Sequence, residues 1–388
     1  MSNLKLDSSI VSVNWLHKNI HAPNLIILNA TIPKVTVAKD ATLEAFQIPN
    51  AIFFDIKKKF SNVEDAFPSA FPSQETFTNS AQELGINKDS VIVVYDEKGI
   101  YSSARAWWLF KAFGHDNVAV LNGGFPEWNR KKLPVENKKE HKTTNGNFQA
   151  KAQDGYMVFF DTILKIQEDS KYTILDARSA QRFNAEVPEP RKGLRSGNIP
   201  NSKNLPFENL LENNQLRPKE EIQTIFNQVT NQQENLVFSC GSGITACVLA
   251  LAATELGYTN ICVYDGSWTE YGSLITNNKT MHWTKNELIA YTLLYAANSN
   301  FEEDNKERNL IIEKVNMQTF QKIHDEFDAD NDYQSIQKIQ KGLQEHDFTQ
   351  KDVNKLLLEI KNMFFVDGNF DVYERIMYRS LNKLLSVE

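Results

Sequence analysis

Two short, largely apolar runs set the first expectation. Val91-Ile92-Val93-Val94-Tyr95 and Asn235-Leu236-Val237-Phe238-Ser239 have the length of a strand buried on both faces. Each leads into a glycine-bearing loop and then a helical segment, ending at Phe113-Gly114 and at Leu256-Gly257, where glycine is the expected cap. A second strand follows each helix, Val118-Ala119-Val120-Leu121 and Asn260-Ile261-Cys262-Val263-Tyr264. From Gly114 to Trp128 and from Gly257 to Tyr271 the offset is constant at 143 residues, and Ile48-Pro49-Asn50-Ala51 recurs as Ile199-Pro200-Asn201-Ser202. The chain thus reads as two copies of one α/β unit, over residues 8–136 and 153–280, joined by the polar, aperiodic stretch 137–152 as linker. Strands alternating with helices, not hairpin turns, predict parallel sheets flanked by helices.

The pattern changes beyond about residue 280. Residues 286–388 contain no Pro and no Cys, and their only glycines are Gly342 and Gly368. Leu356-Leu357-Leu358, Ile360, Met363-Phe364 and Ile376, Leu381, Leu384-Leu385 fall at helical spacing, which predicts an all-α C-terminal domain over 284–388. It carries a loose echo, Asn300-Phe301 to Glu307-Arg308 against Asn369-Phe370 to Glu374-Arg375, and resembles TerB-type helical domains, in which acidic turns join helix pairs.

Charge sharpens this division. The 388 residues hold 42 Lys and Arg against 49 Asp and Glu, a net −7. Residues 286–388 account for all of it, with 12 basic and 19 acidic side chains, and the preceding part balances at 30 and 30. The net −7 of the whole chain argues against a dedicated nucleic-acid binder and against an anionic-membrane anchor. Three cysteines, an odd number, cannot form a disulfide framework. With no signal-like start and no apolar run near the ~20 residues that span a bilayer, the expectation is a cytoplasmic protein. The seven histidines show no metal-ligand spacing. Asp328-Ala329-Asp330-Asn331-Asp332-Tyr333 hints at a calcium loop, but Tyr333 stands where glycine is required and Ile339 at the twelfth position, so a solvated acidic loop is expected.

Chemistry concentrates in one loop. Cys240 follows the apolar strand and precedes Gly241-Ser242-Gly243-Ile244-Thr245-Ala246 and a helix. Glycines let the backbone curl so that successive N–H groups face inward as an anion cradle, and the helix start favours a thiolate. Phosphatase chemistry needs an arginine six residues after the cysteine, where this chain has Ala246. Sulfur transfer needs only the thiolate and the ring of amides, and the loop favours it. Cys247 and Cys262 read as core residues. In the first copy Asp96 takes the nucleophile's place, so that copy is expected to be catalytically silent, with Trp107 and Trp108 packing at the face between the copies.

The repeat and the Cys240–Ala246 loop resemble the two-domain rhodaneses, in their 3-mercaptopyruvate sulfurtransferase branch. Asp176-Ala177-Arg178, Arg182-Phe183, Glu189-Pro190-Arg191 and Asp265-Gly266-Ser267-Trp268 match further, as do Phe53-Phe54-Asp55 and Ser103-Ala104-Arg105-Ala106-Trp107-Trp108 in the first copy. The resemblance covers about residues 8–280 and implies tandem rhodanese-like domains with the active site between them. It also implies a mechanism. Cys240 takes sulfur from 3-mercaptopyruvate or thiosulfate as a persulfide, pyruvate leaves in the first case, and a thiol such as thioredoxin, or cyanide, accepts the sulfur. Arg182 and Arg191 hold the substrate's carboxylate and keto oxygen, Ser242 serves the sulfur by a hydrogen bond or proton relay, and Asp265 and Ser267 contribute. No metal or organic cofactor is implied. Lys57 and Ser69 stand where the family places a carboxylate and a histidine. The alternative reading is a scaffold that carries or senses sulfur without turnover, its helical tail recruiting an unknown protein partner.

Overall fold

The computed structural model describes residues 4–32, 45–139, 143–191, 193–231, 234–275, 283–298, 305–330, 332–365, 370 and 372–385. Two compact units emerge, one of residues 1–189 with 196–272 and one of 190–195 with 273–388.

The first unit contains two five-stranded, wholly parallel sheets. In the first, β1 (Ile10–Val11), β2 (Leu25–Asn29), β3 (Ile52–Phe53), β4 (Val91–Tyr95) and β5 (Val118–Leu121) run in the order β1-β5-β4-β2-β3. In the second, β6 (Met157–Val158), β7 (Tyr172–Asp176), β8 (Lys203–Asn204), β9 (Asn235–Ser239) and β10 (Ile261–Tyr264) run β8-β7-β9-β10-β6. The two predicted apolar runs are the central strands β4 and β9, buried by neighbours on each side, with Val93 opposite Ile27 and Val237 opposite Ile174. The parallel α/β reading is thus realised in both copies.

Each central strand feeds a helix, α1 (Ser102–Ala112) in the first copy and α2 (Ala246–Glu255) in the second. Both are apolar almost all round, and α1 and α2 pack against each other within one shared core. Trp107 and Trp108 are fully buried there, as expected. Residues 143–152 are no loose tether. Phe148 and Ala150 are buried, and the strap is tied to the first copy by backbone bonds from Gly146 to Gln82, Phe148 to Ile86 and Lys151 to Phe113. The two apolar side chains in a polar stretch account for its adherence.

The second unit is all-α in its described residues, with helices Lys285–Ala297, Asn305–Lys314, Met317–Ala329, Asp332–Glu345, Gln350–Phe364 and Val372–Leu385. Thr284 opens the first with a capping box to Glu287. That helix is buried along most of its length, with Leu288, Tyr291 and Leu294 in the core formed with Phe320, Ile339, Leu356 and Leu381. The acidic loop differs from expectation: Asp330 is mostly covered and accepts hydrogen bonds from Tyr291 Oη and Lys338 Nζ, each at 2.6 Å. Asn331 lies outside the described residues, as do 300–304 and 369 of the sequence echo.

Candidate functional site

The cysteine loop takes its shape from which backbone groups are held. The Cys240 carbonyl accepts the Trp268 amide at 2.9 Å, and the Gly241 carbonyl accepts the Thr269 amide at 2.9 Å and the Thr269 hydroxyl. Both donors come from the first turn of α3 (Ser267–Leu274). The Gly243 carbonyl receives Arg105 Nη1 at 3.4 Å and the Cys247 thiol at 3.3 Å. A trans peptide is planar, so its N–H points away from its C=O. Clamping these three carbonyls therefore turns the amides of Gly241, Ser242 and Ile244 the opposite way. Among the described residues those three amides, and that of Thr245, have no partner. Converging free N–H groups before a helix start form an anion nest.

Ser267 braces the nest from within the fold. Its Oγ accepts the amides of Cys240 and Gly243, each at 3.1 Å, and donates to the Tyr264 carbonyl at 2.9 Å, while lying 3.9 Å from Cys240 Sγ. Ser267 adopts φ +51°, a left-handed conformation that starts α3 sharply enough to present the hydroxyl. Gly243 has φ +71°, and a Cβ there would meet the Asp265 carbonyl at 2.7 Å, so only glycine fits. Cys240 is buried, its residue only 1% exposed. Ser242 sits in the same loop but makes no side-chain hydrogen bond among the described residues, so Ser267 makes the recorded contact with the sulfur.

The first copy shows what such a nest prefers. At the position equivalent to Cys240, the carboxylate of Asp96 is fully buried. It accepts the amides of Lys98, Tyr101 and Ser103 at 2.8, 2.8 and 2.9 Å, and the Ser103 hydroxyl at 2.6 Å. An internal carboxylate fills this loop.

Arg182 is brought beside the loop. A Cβ on Gly241 would lie 3.2 Å from Arg182 Nη2. The guanidinium is fixed by Glu189, through Nε at 3.2 Å and Nη2 at 2.5 Å, and remains partly exposed. Burial works against its charge, but Glu189, and then Cys240, outweigh this and hold it more firmly protonated. Glu189 is itself anchored by Arg178, which also chelates Asp176. Arg191 is exposed on segment 190–195, which groups with the helical unit. Asp265, left between turn and site by sequence, is 6% exposed and salt-bridged to Arg105 at 2.7 Å. Lys57 is exposed, whereas Ser69 is nearly covered and offers its carbonyl to Arg105 at 2.9 Å.

Sequence reasoning missed two residues of the first copy. Tyr101, half-buried, has its phenol pushed up by burial and then by neighbouring Cys240. Arg105 stands in the stretch that matches the family, but nothing local announces that Asp265 and Gly243 of the other copy are among its partners. Burial pushes the other two thiols, Cys247 and Cys262, each up to about 12. Among the described residues, no group of three or more metal-ligating side chains occurs, and no helix is long and apolar enough to cross a membrane.

Comparison with known proteins bears on the family and the fold. The sequence model of the rhodanese-like domain matches twice, at residues 12–131 and 160–274, stopping short of the helical domain. The chain is 37% identical over 296 residues to thiosulfate/3-mercaptopyruvate sulfurtransferase 1, mitochondrial, of Arabidopsis thaliana, covering 70% of this chain and 78% of that one. It is 35% identical to the 3-mercaptopyruvate sulfurtransferase of Escherichia coli K12, covering 68% of this chain and 94% of the relative. The crystal structure of SseA from Escherichia coli superimposes with a TM-score of 0.61 at 34% identity, over 67% of this chain and 99% of that one. Two matched domains, one carrying the cysteine nest, make this chain a member of the rhodanese family and a sulfurtransferase.

Proposed function

We propose that Cys240 takes sulfur from 3-mercaptopyruvate and passes it to a thiol such as thioredoxin, or to cyanide. The Cys240 thiolate attacks the substrate's sulfur, the C–S bond breaks, and its electron pair leaves on carbon as the enolate of pyruvate, which takes up a proton. The single observation that carries this reading is the set of unpaired amides of Gly241, Ser242 and Ile244, suited to the one negative charge of a persulfide. Thiosulfate serves as a second donor, releasing sulfite. Arg182, fixed yet partly exposed, meets the carboxylate of mercaptopyruvate, with Arg191 as its companion fork and Ser242 as the proton relay. Asp265 and Ser267 support the loop. The first copy is silent because Asp96 occupies its nest. The TerB-like domain over 284–388 recruits a protein partner.

The test is to supply either donor with cyanide and follow pyruvate and thiocyanate, with intact mass for a one-sulfur adduct. Turnover that is lost in Cys240→Ser is expected. Absence of turnover with both donors, or equal turnover in Cys240→Ser, sinks the proposal, and an adduct without turnover points to a sulfur-carrying scaffold instead. A chain ending near residue 283 is expected to retain the transfer.

A further inference from the structure

Arg105 belongs to the copy without a nucleophile, and its side chain is completely buried. A buried cation is costly unless paired, so its partners explain its presence. Nη2 meets Asp265 Oδ1 at 2.7 Å and the Ser69 carbonyl at 2.9 Å, and Nη1 meets the Gly243 carbonyl at 3.4 Å. The other carboxylate oxygen of Asp265 accepts the Phe71 amide at 2.6 Å. Among the described residues Arg105 Nε has no partner, which adds to the cost of burying this cation.

What the guanidinium holds, together with the Cys247 thiol at 3.3 Å, is a loop carbonyl that α3 does not reach. A peptide that follows a glycine at φ +71° has little steric reason to keep one orientation. A flip of the 243–244 peptide would reverse the Ile244 amide and place a carbonyl in the nest, where it would repel a persulfide. We propose that Arg105, oriented by Asp265, is a positioning residue for sulfur transfer: it locks the Gly243 carbonyl outward so that the Ile244 amide stays directed into the nest. The silent copy thereby supplies part of the working site. This inference rests on the sulfurtransferase reading and adds to it a residue that acts through the loop rather than on the substrate.

The test separates positioning from stability. Arg105→Met leaves the Asp265 carboxylate buried and unpaired and should lower Tm. The double variant Arg105→Met/Asp265→Asn removes both charges, keeps an acceptor for the Phe71 amide and should recover most of Tm. Its kcat is nonetheless expected to stay ~100-fold low with KM within about threefold of wild type, the magnitude of a small misplacement of reacting groups. Recovery of kcat in step with Tm would show a structural pair only and overturn the inference. Arg105→Lys, which keeps the cation and the fold without the planar fork, provides a second reading: kcat about tenfold down at unchanged KM is expected, and unchanged kcat overturns the inference. No turnover by the wild-type chain overturns the sulfurtransferase reading and this inference with it. Turnover by wild type with unaltered kcat in the variants overturns this inference alone.

Discussion

Arg182 presents both Nε and Nη2 to the two carboxylate oxygens of Glu189, at 3.2 and 2.5 Å. Glu189, fully buried in its side chain, therefore sets the plane of the guanidinium beside Gly241 while Arg178 holds its own position. If this fork meets the substrate carboxylate, Arg182→Ala should raise KM and lower kcat/KM for mercaptopyruvate by about a hundredfold, and Arg182→Lys should not restore it. Glu189→Gln leaves the buried Arg178 with one carboxylate fewer and should cost about 3 kcal/mol in urea unfolding. Wild-type steady-state kinetics in Arg182→Ala would remove Arg182 from the site.

Ser267 and Ser242 should separate cleanly. Ser267→Ala strips the acceptor from two buried amides, those of Cys240 and Gly243, at an expected cost of about 2 kcal/mol in stability and a marked loss of kcat. Ser242→Ala should leave stability unchanged, because its side chain makes no hydrogen bond among the described residues, and should lower kcat if Ser242 relays a proton to the sulfur. Paired melting curves and single-turnover rates distinguish the two, and equal melting losses would contradict the structure.

The three thiols should differ in reactivity. Cys247 and Cys262, pushed up to about 12 by burial, remain thiols near neutral pH. Iodoacetamide at about pH 8 should therefore label Cys240 first, read by peptide mass, and after incubation with a sulfur donor the adduct on Cys240 should be heavier by one sulfur, because the persulfide is alkylated on its outer sulfur. Labelling of Cys247 ahead of Cys240 would contradict this assignment.

His115 makes stability depend on pH. Its ring is buried, with Nε2 donating to the Ser90 carbonyl at 3.0 Å, and burial lowers its proton affinity. The unfolded chain then binds a proton that the folded chain does not, in the window below the ordinary histidine value of about 6.5. The stability that neutral His115 contributes is present above that value and is lost as pH falls through the window. The urea midpoint should drop between about pH 7.5 and 5.5, and His115→Gln should flatten the dependence. An unchanged slope in that variant would assign the effect elsewhere.

The sequence made legible whatever is carried by neighbours along the chain. Both central strands, the glycine loop after Cys240 and the helical spacing past residue 284 are local patterns, and all appear where the spacing puts them. The left-handed Ser267 and the bond from Arg105 to Asp265, 160 positions away, depend on which surfaces meet, and no window of sequence contains both partners. Asp330 shows the same limit: its charge pattern reads as solvated, but Tyr291 lies 39 positions away and closes over it. The strap at 143–152 looked polar on average, yet its fate was decided by Phe148 alone with Ala150.

The Arg105–Asp265 pair makes each copy depend on the other for its buried charge. Cutting away the first copy would not leave a smaller intact second one. It would strand the Asp265 carboxylate without its cation, remove the Phe71 amide, and bare the apolar flank of α2 from Ala246 to Ala253. The surface of the first copy is open to substitution, but its interior is part of what keeps the second copy whole.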